Sequence, residues 1–123
     1  MQLTIINSSD RPLYEQIYTQ IKVKIMSGEL KEGEALPTIR SLAQALKISV
    51  ITTARAYGDL EKDGYIHTVT GKGSFVAPRN EELFREDTLK QVERKLTEAV
   101  ELARIGGISD DELRAALELL MGE

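Results

Sequence analysis

The sequence predicts a mainly α chain with one small β-hairpin, and three observations predict it. Apolar residues recur at helical spacings of three and four through five segments. One pair of short β-branched and aromatic runs flanks Gly71-Lys72-Gly73. A change of charge falls at Pro78, so the chain reads as residues 1–78 followed by residues 79–123.

The elements follow in order. From Pro12 to about Met26, Leu13, Ile17, Ile21 and Ile25 fall four apart, with Tyr14 and Tyr18 widening the stripe. That is a helix with one buried face. Asp10 is the expected cap, Pro12 suits the first turn, and Gly28 ends the helix. Glu29 to Pro37 is a short link. Thr38 then caps a second helix of about nine residues carrying Ile39, Leu42, Ala43 and Leu46. Lys47-Ile48 forms a tight connection, and Ser49 caps a third helix from Val50 to about Asp63. Its buried face is Thr53, Ala56, Tyr57 and Leu60. Gly64 stops it, and the runs from Tyr65 to Thr70 and from Ser74 to Ala77 make the hairpin. Leu3 to Ile6 reads as a further short strand. Gly58 inside the third helix costs roughly 1 kcal/mol against Ala; close packing there is one explanation.

Beyond the boundary, Leu89, Val92, Leu96, Ala99 and Ala103 mark a helix from about Glu81 to Arg104, broken by Gly106-Gly107. Ser109 to Glu112 is a capping box, and Leu113, Ala116, Leu117 and Leu120 form a last stripe. A two-helix hairpin this short cannot bury both stripes by itself, so the tail reads as a dimerisation region. Leu89, Val92, Leu96, Ala99, Ala103, Leu113, Leu117 and Leu120 are its expected interface.

Composition excludes several chemistries. The 123 residues hold no Cys and one His, which removes thiol nucleophiles, disulfides and the usual multi-His metal clusters. No Ser, His and Asp arrangement is visible, and Gly71-Lys72-Gly73 lacks the longer loop before a helix that a nucleotide site needs. The chain is therefore read as neither an enzyme nor a holder of a cofactor. No apolar run approaches ~20 residues, and the first residues lack a basic stretch before an apolar core, so a cytoplasmic protein without membrane contact is expected. The net charge of −4 argues against nucleic acid when taken whole. Residues 1–78 hold nine bases and eight acids, net +1, whereas residues 79–123 hold seven and twelve, net −5. The acidity belongs to the tail.

Helix, short helix, tight turn, helix and hairpin describe a winged helix-turn-helix, and its physics suits double-stranded DNA. A helix fits a major groove about 12 Å wide with its N-terminal residues toward base edges. Ile51, Thr52, Arg55, Asp59 and Lys62 lie opposite the buried face. Ile51 suits a thymine methyl, Thr52 a base edge, and Arg55 a base or a phosphate, unless it pairs with Asp59 one turn on. Asp59 repels phosphate, so the helix leaves the groove before that turn. Arg40 sits early in the second helix, where an anion is favoured. Lys72 supplies charge between the glycines of the wing tip, with His67 and Thr70 beside it.

These residues carry a resemblance. Gly28-x-Leu30, Leu36-Pro37-Thr38-x-Arg40-x-Leu42-Ala43, Ala56-Tyr57-x-x-Leu60, Gly64-Tyr65-Ile66 and Gly71-x-Gly73-Ser74-Phe75-Val76 resemble the GntR family of bacterial transcription regulators. Pro12 to Ile17 and Ile51-Thr52-Thr53 look like its YtrA subfamily. The resemblance implies a homodimer, often a repressor of an adjacent transporter operon, on an inverted-repeat operator, and nucleoid-associated when bound. It implies DNA contacts at Thr38 and Arg40, at Ser49, Ile51, Thr52, Thr53 and Arg55, and at Gly71, Lys72 and Gly73. The position before Arg55, often basic in such proteins, is Ala54 here, and Ser49 to Thr53 carry no charge. Base readout is then expected to lean on shape and phosphates. The competing reading is a winged-helix protein-interaction module, favoured by the near-neutral charge of residues 1–78. About 45 residues of tail leave little room for a pocket of ~300–1,000 Å³ for a small-molecule effector within one subunit.

Overall fold

The structure, a computed structural model, describes residues 1–122. Its elements are α1 (Leu13–Met26), α2 (Ile39–Leu46), α3 (Val50–Lys62), β1 (Ile66–Val69), β2 (Gly73–Val76), α4 (Glu81–Ile105) and α5 (Asp110–Leu120). They fall into two compact units, Met1–Arg79 and the stretch from Asn80 onward. No helix among the described residues is long and apolar enough to cross a membrane.

In the first unit α1 and α2 both pack on α3. Ile17, Ile21 and Ile25 of α1, Leu42 and Ala43 of α2, and Ala56, Tyr57 and Leu60 of α3 are buried together with Ile66 and Val76 of the hairpin. The four-residue spacing in α1 is what places its three isoleucines on one side. Burying each is worth roughly 2 kcal/mol. Thr38 and Ser49 cap their helices, accepting from the Ser41 and Thr52 amides. Between them the chain turns at Lys47, the one non-glycine residue with positive φ (58°) among those described. Its amide and that of Ile48 take the Gln44 and Ala43 carbonyls, so α2 stops and α3 starts within three residues. A left-handed lysine costs about 1 kcal/mol, which packing on α3 must offset.

The strands pair antiparallel, Ile66 with Val76 and Val69 with Gly73. Link residues join them on the far side of β2. The Leu36 amide donates to the Ser74 carbonyl, and Val76 N–H to Glu34 O. The link is thus held as an edge of the wing, which spacing alone did not reveal.

Two sequence expectations fail at the N-terminus. Asp10 does not cap α1; Pro12 occupies the cap without a side-chain bond, and its carbonyl accepts from Glu15 and Gln16. Leu3 to Ile6 is extended but joins no sheet. Its partners are side chains. Gln20 Oε1 accepts from Thr4 N at 2.9 Å while its Nε2 donates to Thr4 O at 2.7 Å. Gln16 does the same with Ile6, at 2.8 and 3.0 Å. The match is geometric: four residues of helix rise about 6 Å, and two residues of strand span about 6.7 Å. A glutamine carboxamide carries the same donor and acceptor as a peptide group, so two on one helix face replace a neighbouring strand.

In the second unit α4 and α5 form a hairpin around Gly106 and Gly107, the latter at φ 74°. Ser109 and Glu112 complete the capping box. The hairpin holds an apolar groove of about 470 Å³ whose walls include Leu96, Ala99, Leu113, Ala116, Leu117 and Leu120. The two stripes of the tail thus leave an apolar furrow between them, open to one side in the single chain.

Candidate nucleic-acid interface

Arg40 is the second residue of α2, exposed, beside the Thr38 cap. Behind it the buried Tyr57 hydroxyl donates to the Pro37 carbonyl at 2.7 Å. This bond ties the entry of α2 to the middle of α3. Burial holds the Tyr57 hydroxyl well above the usual phenol range.

The start of α3 separates residues that the sequence left together. Ser49 Oγ donates to Thr52 Oγ1 at 2.8 Å while accepting the Thr52 amide, so both side chains are engaged with each other. Thr53 is fully buried and its hydroxyl donates to Ser49 O at 3.1 Å. Thr53 is therefore corrected: a hydroxyl inside the core, satisfied by its own helix, does not reach DNA. Ile51 is 83% exposed, so it does not pack within its own unit. Val50 beside it is exposed too and was missed, because a valine at a helix start reads as core. The front of α3 is thus two uncovered aliphatic side chains.

Arg55 lies one turn on. It makes no ion pair with Asp59. Its guanidinium carbon sits 3.6 Å above the centre of the Tyr14 ring. Tyr14 belongs to the first turn of α1, and its stripe position had marked it as core. Gly58, one turn beyond, has open space where a side chain would stand, so close packing does not explain it.

At the wing, Thr70, Gly71 and Lys72 are exposed, and the Lys72 amide donates to Val69 O at 2.9 Å. Gly71 and Gly73 have φ of 78° and 108°, values that disfavour any side chain. His67 is exposed, its ring 6.1 Å from that of its cross-strand partner Phe75. Thr68 is bonded to Glu61 of α3 at 2.5 Å, which ties the wing to the helix. Among the described residues no three His, Cys, Asp or Glu side chains form a metal-holding group.

In the tail, Leu89, Val92, Leu96, Leu117 and Leu120 are 43–84% exposed, with Ala99 and Leu113 half-buried. Ala103 is corrected: it is 8% exposed beside the turn and has little surface to offer a partner. Leu102, Ile105, Leu119 and Met121 are at least 70% exposed and went unnoticed, because they stand off the two stripes.

Comparison with known proteins places this layout. The model of bacterial regulatory proteins of the gntR family matches residues 13–76. The HTH-type transcriptional repressor YtrA of Bacillus subtilis (strain 168) is 30% identical over 105 residues, which are 85% of this chain and 81% of that protein. A solved transcriptional antiterminator from Listeria monocytogenes EGD-e is 31% identical, with a TM-score of 0.77 over 98% of this chain and 90% of that one. AraR(DBD), solved in complex with operator ORE1, is 31% identical with a TM-score of 0.53, covering 63% of this chain and 94% of that one. The matched stretch runs from the first residue of α1 to the last residue of β2, the whole of the helices and wing just described, and the chain belongs to the gntR family of bacterial regulatory proteins.

Proposed function

We propose that this protein is a transcription regulator, a repressor, that binds double-stranded operator DNA as a homodimer. The observation that carries the reading is the exposed front of α3, Val50 and Ile51, followed by an Arg55 that forms no ion pair among the described residues. Likeness to AraR(DBD), solved on an operator, supports it. In this reading Ile51, Thr52 and Arg55 enter the major groove, Ser49 keeps the cap, and Thr38, Arg40, Lys72 and the Gly71–Gly73 backbone meet phosphates. His67 and Thr70 lie beside the wing contact. Phosphate contacts set register while the front of α3 reads bases.

The apolar stripes of α4 and α5 take a second copy of the chain. Their support is exposure: leucines this uncovered along a whole helix face are at odds with a lone monomer. A homodimer reads an inverted repeat, with half-sites about one helical turn or a multiple apart. Domains 1–78 and 79–123 then divide reading from pairing. The protein works in the cytoplasm and represses an adjacent operon, often a transporter operon among regulators of this kind.

A mobility-shift titration with duplex DNA from upstream of its own gene tests this. Binding is expected at low salt, where electrostatic attraction is strongest, and it persists against unrelated competitor duplex. Lack of any shift at low salt overturns the reading in favour of a protein-interaction module.

A further inference from the structure

We propose that Tyr14 is a positioning residue for DNA recognition: its ring holds the Arg55 guanidinium out of reach of Asp59 and presents it to the duplex. The inference rests on the function proposed above and names a residue which that reading does not use. Three observations carry it. The Arg55 Cζ lies 3.6 Å from the Tyr14 ring centre, a stacking distance well inside the ~6 Å limit of a cation–π contact. Arg55 is exposed and shares its face of α3 with Ile51. Among the described residues the Arg55 guanidinium donates no hydrogen bond, and the Tyr14 hydroxyl neither donates nor accepts one.

The chemistry follows from the shape of the group. A guanidinium carries its five N–H donors in its own plane, so stacking one face on a ring uses none of them. All stay available for a phosphate or a guanine edge, where two parallel bonds form. An unsupported arginine in this place has a nearer partner. Asp59 stands one turn further along α3, the spacing at which opposite charges meet on a helix. Pairing there costs the side chain both its charge and its direction. The ring from α1 prevents that collapse and lowers the entropy that Arg55 loses on binding DNA.

The test is a double-mutant cycle read on DNA affinity, with folding followed separately. The probes are duplexes recovered from genomic DNA by selection with the wild-type chain, and one unrelated duplex. Tyr14→Ala is expected to weaken binding to the selected duplex by about fivefold to thirtyfold. Tyr14→Phe, which keeps the ring, retains most of the affinity. Arg55→Ala loses as much as Tyr14→Ala or more, and the double variant binds no worse than Arg55→Ala alone. In the free protein, the ring-current shift of the Arg55 side-chain signals disappears in Tyr14→Ala and survives in Tyr14→Phe. Thermal melting of each variant separates loss of fold from loss of presentation. Wild-type affinity in Tyr14→Ala overturns the positioning role and leaves the proposed function standing. So do losses that multiply in the double variant. A wild-type chain that selects no duplex overturns both.

Discussion

Tyr57 shows how one hydroxyl serves two elements. Its ring is core, and its oxygen reaches across to the carbonyl of Pro37, one residue before the α2 cap. Tyr57→Phe keeps the ring and leaves that carbonyl without its donor, so stability is expected to fall by about 1 kcal/mol in urea titrations at neutral pH. The alkaline behaviour distinguishes this bond from simple packing. Burial raises the folded-state pKa, whereas the unfolded phenol ionises near pH 10. The contribution of Tyr57 is therefore complete below pH 10 and is lost as pH rises beyond it. The gap between wild type and Tyr57→Phe should narrow as pH rises above 10; a gap that widens there contradicts the assignment. The sequence placed Tyr57 in the core by spacing, but nothing in a helical period announces where a hydroxyl finds its acceptor twenty residues away. Tyr14 makes the same point in reverse. Periodicity gave it to the core stripe, while its free face carries Arg55.

At the scale of elements, helix boundaries were legible because capping chemistry is local. Thr38, Ser49 and Ser109 sit where their hydroxyls accept an otherwise orphan amide. The hairpin was legible from its glycines. The N-terminal arm was not, because the partner of an extended segment is a tertiary fact: alternation announces a strand and cannot say that two glutamines of α1 will stand in for its neighbour. Replacing Gln16 and Gln20 together by Ala is expected to release the arm. Hydrogen exchange at the Thr4 and Ile6 amides should quicken by about tenfold while that of the α1 amides stays unchanged. Unaltered exchange at both positions shows that the arm is held by something else.

For the molecule as a whole, charge arithmetic by region proved more telling than the net value. A total of −4 masks a reading unit near neutrality and a strongly acidic tail. The exposed apolar stripe of that tail makes a prediction at this scale. Leu96→Asp places a carboxylate on the groove wall, where burial against a second copy costs several kcal/mol. The wild-type chain should sediment as a dimer and Leu96→Asp as a monomer, with weaker hold on an inverted repeat. Two species of equal mass remove the stripe from the interface.

The uncharged front of α3 bears on how such a protein spends its time in a cell. Electrostatic hold on arbitrary DNA grows with the number of phosphates neutralised, and the proposed contact set offers only Arg40, Arg55 and Lys72 from each copy. With that contact set, hold on random sequence is expected to be brief and to depend only weakly on salt. Preference for the operator is then expected to lie in slow departure, set by the fit of the exposed front of α3, more than in a strong general grip on the chromosome.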